Sequence, residues 1–151
     1  MATWAEFAAG APIAAERGRQ LFYRTPTGEA LLATVRGEAL PQIHPIYVGV
    51  MDGRLLAFIG PSSKAVDLAE DGRYALHAHQ DPAAPHEFLL RGRASPIDDP
   101  EARATYAGAW FFDPGDDYRL FEFHVDHAVF GERPTADDWP PRYTKWSSTA
   151  G

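Results

Sequence analysis

Apolar residues in the middle of the chain run almost without interruption through positions 43–51 and again through positions 54–59. Asp52-Gly53 separates the two runs, and this dipeptide is typical of a two-residue turn between antiparallel strands. Gly60-Pro61 ends the second run, and a polar segment follows where a helix would begin. The pattern therefore predicts a β-hairpin that leads into a helix within residues 41–68.

Further strands are indicated on both sides of this hairpin. Compact apolar or alternating runs of strand length occupy residues 31–35, 74–79, 86–97 and 118–125. Shorter candidates lie at residues 128–130, beyond a kink at Asp126-His127, and at residues 142–146. Together these runs predict six or seven short strands.

Helices are expected mainly as caps and connections. Thr3 and Glu6 have the spacing of a capping box, and Pro12 suits the first turn of a second helix that runs to about residue 24. Residues 63–71 and a segment that opens at residues 98–101 and ends at Gly108 predict two more. We therefore expect a mainly β protein, a small β-barrel with helical additions and mostly antiparallel strands.

The length of 151 residues suits one domain. We expect N-terminal helices in residues 1–27, a barrel core in 29–131 and an irregular C-terminal tail in 132–151. The hairpin is apolar on both faces, which a single small barrel cannot easily bury. A homodimer that covers the outer face is the simplest solution.

Composition narrows the classes of partner. The net charge of -7 argues against general binding to nucleic acid or to anionic membranes. The absence of cysteine excludes disulfides and thiol chemistry and is compatible with a reducing cytoplasm. No signal peptide is evident, and no apolar run approaches the ~18–20 residues that span a bilayer. We therefore expect a soluble cytoplasmic protein.

The polar segment after Gly60-Pro61 is the clearest candidate for chemistry. Ser62, Ser63 and Lys64 would place two hydroxyls and an ammonium group at a helix start, where backbone N–H groups are unsatisfied. Such a corner can bind a phosphate group. The alternative interpretation is an ordinary serine cap followed by a solvated lysine.

These segments resemble the pyridoxamine 5'-phosphate oxidase-like superfamily. The resemblance is carried, in this order, by ATV at residues 33–35, GPSSK at 60–64, AVDL at 65–68, EDGRYAL at 70–76 and FLLRGRASPIDDPEA at 88–102. It extends over about residues 29–125. It implies an FMN-binding split barrel and a homodimer with the cofactor at the subunit interface.

The resemblance also implies a set of cofactor-binding residues. Their roles would be to bind the phosphate, to lie along the flavin ring and to flank the ribityl chain. The residues are His44, Pro45, Ile46, Tyr47, Val48, Phe58, Ile59, Gly60, Ser62, Ser63 and Lys64.

The chain departs from the namesake oxidases at two places. Gly49 occupies the position of their second basic residue, and their C-terminal Trp and Arg-x-His region has no counterpart. The chain resembles the flavin/deazaflavin-dependent reductases more closely. The implied function is hydride transfer between bound FMN, or a deazaflavin, and a small molecule, with no catalytic side chain. The alternative is a non-catalytic protein that binds flavin or haem.

Three other groups of residues have less specific functional interpretations. His77, His79 and the His86-Glu87 pair could bind a metal, although a polar surface is the favoured interpretation and we predict no metal site. Arg91 and Arg93 are expected to form surface salt bridges, with contact to an anionic ligand as the alternative. Residues 110–112, Trp-Phe-Phe, are interpreted as core or dimer packing, with a cover over the pocket of the partner subunit as the alternative.

Overall fold

The computed structural model describes residues 1–149, which contain four helices and eight strands. In chain order these are α1 (Trp4–Gly10), α2 (Pro12–Phe22), β1 (Glu29–Arg36), β2 (Leu40–Tyr47), β3 (Gly49–Met51), β4 (Arg54–Ile59), α3 (Ser63–Glu70), β5 (Arg73–Ala78), β6 (Glu87–Pro96), α4 (Pro100–Gly108), β7 (Arg119–Glu132) and β8 (Arg142–Ser147). No helix in this part of the chain is both long enough and apolar enough to cross a bilayer.

All eight strands form one curled sheet in which every pairing is antiparallel. The order is β2-β1-β5-β6-β7-β4-β3, and β8 pairs with β7. The predicted mainly β, antiparallel architecture is confirmed. The last strand lies within the segment expected to be an irregular tail, at the position where a possible short strand was indicated.

Local signals in the sequence determine where the helices begin. The Thr3 hydroxyl accepts a hydrogen bond from the Glu6 N–H at 3.2 Å, and the Glu6 carboxylate accepts one from the Thr3 N–H at 2.7 Å. Asp99 caps α4 through the Ala102 N–H at 3.0 Å. Each bond satisfies a backbone donor that a helix start leaves unpaired. The predicted capping box and acidic cap are both confirmed.

The apolar run at residues 43–51 is divided between two strands, which differs from the predicted hairpin. Strand β2 pairs with β1, and only the short β3 pairs with β4 around Asp52-Gly53. The Val48 N–H donates to the Gly28 carbonyl at 2.9 Å. A Cβ at Gly28 would lie 2.1 Å from the Val48 oxygen, so this close contact requires glycine. The break at Val48 redirects the chain from one pair of strands to the other.

Strand β7 is continuous where a kink was expected between two strands. Arg91 pairs with His127 and Gly92 pairs with Val125, so Asp126 is an extra residue in the ladder. A bulge of this kind bends a strand without ending it. The split of residues 43–51 and the presence of β8 bring the number of strands to eight, against six or seven predicted.

The main core lies between the sheet and helices α1 and α2, which contribute aromatic side chains such as Phe7 and Phe22. A second, smaller cluster lies between the sheet and α4, and it includes Leu56, Phe58, Tyr106, Trp110 and Leu120. The second cluster supports one wall of the candidate site.

The outer face of β1 and β2 is largely uncovered. Ile43 is 71% exposed, and Leu31 and Tyr47 on the same face are also exposed. Strand β2 is at one edge of the sheet and contains Pro41 and Pro45. The apolar character of this face is unusual for a surface that remains in contact with water.

Candidate cofactor site

A cavity of about 360 Å³ lies where the ends of β2 and β4 meet the start of α3. We refer to it as the cofactor cavity. Its volume is within the range of small-molecule sites. The lining residues are Pro45, Ile46, Tyr47, Phe58, Ile59, Gly60, Pro61, Ser62, Lys64, Phe112 and Tyr118.

Eight of the eleven residues that the resemblance implies are on the wall of this cavity, and three are not. Val48 is fully buried, and its N–H is already donated to Gly28. Ser63 is exposed in the first turn of α3. His44 is half-buried and precedes the lining residue Pro45 on β2. The structure therefore brings most of the implied set together around one space.

Ser62 is the N-cap of α3. Its hydroxyl oxygen accepts a hydrogen bond from the Ala65 N–H at 3.4 Å, and its O–H donates to the Gly60 carbonyl at 3.0 Å. The capping interpretation is therefore correct for Ser62. Ser62 still lines the cavity, but its hydroxyl proton is already used in the hydrogen bond to the Gly60 carbonyl.

Among the residues that the structure describes, Lys64 is the only cation that lines the cofactor cavity. It is half-buried, and none of the ion pairs within residues 1–149 includes it. A lysine beside a helix start, with no carboxylate to neutralise it, favours an anion in the adjacent space.

His44 has a buried Nε2 atom with no hydrogen-bond partner in the described part of the chain. Burial, followed by the charge of Lys64, lowers the pKa of His44 below its ordinary value; Asp67 opposes this effect and Arg36 adds to it. Buried polar atoms are usually paired, so an orphan nitrogen in a group of charged residues suggests a missing partner.

Asp67 fixes the position of α3 on the sheet. Its carboxylate is 4% exposed and receives hydrogen bonds from Arg36 at 3.1 and 3.2 Å and from the Thr34 hydroxyl at 3.4 Å. Both partners are on β1. These hydrogen bonds of Asp67 therefore hold the start of α3 in place. Ser62 and Lys64 lie five and three residues before Asp67 in the chain.

Aromatic side chains form one wall of the cavity, next to the last residue of β2. The Phe112 ring lies 5.6 Å from the Tyr118 ring and 6.0 Å from the Tyr47 ring, both in edge-to-face arrangements. The sequence did not mark Tyr118 as a site residue. It marked Phe112 only through the alternative that residues 110–112 cover the pocket of a partner subunit, whereas the pocket that Phe112 lines here belongs to its own chain. Trp110 packs in the second cluster.

Trp110 also explains the glycine at position 49. A Cβ on Gly49 would lie 2.6 Å from the Trp110 Cζ3 atom and 2.9 Å from the Met51 Cε atom. Any larger side chain would collide with this ring. The basic residue that the namesake oxidases have here cannot be accommodated without moving Trp110.

The other candidate groups do not form a metal site in the described residues, where no cluster of three or more His, Asp or Glu side chains converges. His86 Nδ1 accepts a hydrogen bond from the Arg133 N–H at 2.9 Å, and His77 Nδ1 lies 2.6 Å from the Ala78 oxygen. Arg91 and Arg93 are exposed, and the salt bridges expected for them do not form within residues 1–149.

Comparison with family models gives no match, and comparison with curated proteins gives none. Solved structures with a similar fold include a haem-binding protein from Mycobacterium smegmatis, at 20% identity and a TM-score of 0.66. That match covers 89% of this chain but only 57% of the other protein.

Two further similar structures are from Clostridium acetobutylicum. A NimC/NimA family protein matches over 87% of this chain and 92% of its own, at 13% identity and a TM-score of 0.64. A protein related to general stress protein 26, of the pyridoxinephosphate oxidase family, matches over 95% of both chains, at 14% identity and a TM-score of 0.59. The chain therefore has the split-barrel fold that the family resemblance implied.

Proposed function

We propose that this chain binds FMN in the cofactor cavity and acts as an oxidoreductase that transfers a hydride between the flavin and a small molecule. The observation that carries the proposal is Lys64, an unpaired half-buried cation at a helix start that opens onto a cavity of about 360 Å³. The orphan Nε2 of His44 next to this charge supports the same assignment.

The residues present fit a phosphorylated flavin. Lys64 and the N–H groups at the start of α3 would bind the phosphate, and the charge of that phosphate would act on His44, which is not on the cavity wall. Residues 45–47 and 58–60 offer two strand ends for the ribityl chain and the ring. Phe112 and Tyr118 would exclude water along the aromatic wall of the cavity.

When bound, the flavin supplies the redox chemistry, and the protein supplies binding, orientation and electrostatics. We assign no general acid or base to the cavity, whose titratable lining groups in the described part of the chain are Lys64, Tyr47 and Tyr118. A deazaflavin in the same cavity is a variant of this proposal that rests on the resemblance to the reductase branch.

We also propose that the protein is a homodimer with the cofactor at the subunit interface. The outer face of β1 and β2 exposes Leu31, Ile43 and Tyr47, and Tyr47 also lines the cofactor cavity. A partner that buried this face would remove apolar surface from water and would enclose the cavity at the same time. Light scattering should give twice the chain mass of 16.6 kDa.

A second candidate is a non-catalytic protein that carries a flavin or haem. It is favoured by Gly49, whose contact with Trp110 leaves no room for the basic residue of the namesake oxidases. The similar structure from Mycobacterium smegmatis is described as a haem-binding protein.

The deciding experiment is a visible spectrum of the purified protein, followed by titration with FMN, a deazaflavin and haemin. We expect a flavin spectrum, or a rise in melting temperature with FMN. A redox assay with the loaded protein and an artificial electron acceptor then separates the candidates. Turnover supports the oxidoreductase, and full loading without turnover supports the carrier. Failure of both flavins to bind at high micromolar concentration would remove the basis of the first proposal.

A further inference from the structure

A second cavity of about 360 Å³ adjoins the cofactor cavity, and we refer to it as the Glu29 cavity. Its lining residues are Glu29, Pro45, Ile46, Tyr47 and His79. The three residues 45–47 line both cavities. A molecule in the Glu29 cavity would therefore lie on the same short stretch of β2 as a molecule in the cofactor cavity.

The register of the sheet brings the polar groups of this cavity into one row. Glu29 on β1 is paired with Tyr47 on β2. On the other side of β1, Ala30 pairs with Ala78, so antiparallel register puts Glu29 opposite His79. The Glu29 carboxylate therefore lies between the Tyr47 phenol and the His79 imidazole, at the ends of three neighbouring strands.

Within residues 1–149, the carboxylate of Glu29 has no counter-ion. It is half-buried, its hydrogen bond comes from the Thr27 hydroxyl at 3.5 Å, and none of the ion pairs in residues 1–149 includes it. His79 likewise has no ion pair there. A half-buried carboxylate beside apolar walls is stabilised by a cation that also donates hydrogen bonds.

The remaining walls determine the shape of that cation. Pro45, Ile46 and the Tyr47 ring are apolar surfaces, and a tyrosine ring attracts a cation over its face. Glu29 and His79 supply two acceptors in the same row when the imidazole is neutral. A ligand that uses all of these groups is flat, carries a delocalised positive charge and presents at least two N–H donors.

We infer that the Glu29 cavity is a binding site for a planar organic cation of the amidinium type. The carboxylate of Glu29 accepts two N–H groups, His79 accepts a further one, and the flat body lies on Pro45 and Tyr47. Binding at this site needs no flavin. Its position next to a bound flavin, and hence its meaning for substrate choice, rests on the proposed function.

The probe is benzamidine, with benzamide as the neutral isostere and benzoate as the anionic one. Benzamidine should shift the backbone amide resonances of Glu29, Tyr47 and His79 in an NMR titration. Its affinity should be higher than that of either control compound. Glu29→Gln should weaken benzamidine binding at least about tenfold, because it removes a charge-assisted pair. Glu38→Gln, which removes the same charge from the exposed turn between β1 and β2, should leave binding unchanged.

Equal affinity for benzamide and benzamidine, or unchanged binding in Glu29→Gln, would overturn the inference. His79→Ala is a second variant that should also weaken binding, and thermal unfolding checks that each variant folds. Lys64→Ala should leave benzamidine binding intact. If benzamidine binds and FMN does not, the flavin proposal fails and this inference stands. If FMN binds and benzamidine does not, this inference fails and the flavin proposal stands.

Discussion

Arg36 donates two hydrogen bonds to the buried carboxylate of Asp67, from Nε to Oδ1 at 3.1 Å and from Nη2 to Oδ2 at 3.2 Å. The pair joins β1 to α3, two elements that are separated by the β2–β4 segment in the chain. Because α3 begins with the residues that would bind a phosphate, the same pair determines where the anion site lies.

Asp67→Ala should therefore lower both stability and cofactor affinity. Loss of the hydrogen bonds from Arg36 and Thr34 should reduce the free energy of unfolding by about 1–3 kcal/mol. Urea denaturation measures this change, and FMN titration measures the effect on the site. Asp71→Ala is the control, because it removes an exposed pair with Arg73 and should have little effect. Equal losses in the two variants would contradict a special role for Asp67.

Lys64→Ala should weaken FMN binding at least about tenfold, because a charge-assisted bond to the phosphate is lost. Riboflavin, which has no phosphate, should bind the variant and the parent protein equally. Fluorescence quenching of the free flavin measures both affinities. Lys145→Ala removes the same charge from exposed β8 and is the matched control. An unchanged FMN affinity in Lys64→Ala would refute the phosphate assignment.

His44 should make FMN binding depend on pH. In the free protein, burial and then Lys64 lower the pKa of His44, so the imidazole is neutral at pH 7. A bound phosphate would raise that pKa, and binding would then take up a proton. Affinity should therefore increase as pH falls from about 8 to about 6, near the ordinary histidine value.

The stability of the free protein should depend on pH in the opposite direction to FMN affinity. A pKa below the unfolded value means that the unfolded chain binds the proton more readily, so stability falls as pH drops below about 6.5. His44→Gln should reduce both dependences in paired measurements of FMN affinity and urea denaturation. Identical pH profiles for the parent protein and His44→Gln would show that the orphan nitrogen has no part in binding.

Gly49→Ala should destabilise the protein by about 1–3 kcal/mol, because its Cβ would lie 2.6 Å from the Trp110 ring. Gly108→Ala is the control, since a Cβ there has open space around it. The loss should be smaller when Gly49→Ala is combined with Trp110→Leu, which a double-mutant cycle measures as a coupling energy. Additive losses would mean that the two residues do not compete for the same space.

Much of the architecture could be predicted from the sequence because its signals are local. The capping box at Thr3 and Glu6, the turn at Asp52-Gly53 and the acidic cap at Asp99 involve residues within a few positions of one another. The break at Val48 could not be predicted in this way. It depends on Gly28, twenty positions earlier, whose carbonyl accepts the Val48 N–H.

The candidate site, too, could be predicted only where its residues lie close together in the chain. The strand ends and the helix start follow one another closely in the chain, so the resemblance could propose them as a set. Phe112 and Tyr118 reach the cofactor cavity from more than 40 positions beyond Lys64, through packing of the second cluster. The orphan state of His44 is likewise a result of packing, which a sequence pattern does not contain.

Strand β2 forms an open edge of the sheet, yet it is a poor template for another strand. A proline in a paired strand turns its nitrogen away from its neighbour, so Pro41 and Pro45 leave gaps in the donors along the free edge. Growth of the sheet by addition of a strand from a second molecule is therefore disfavoured. Copies of this chain should associate across the apolar face, as closed pairs rather than as fibres.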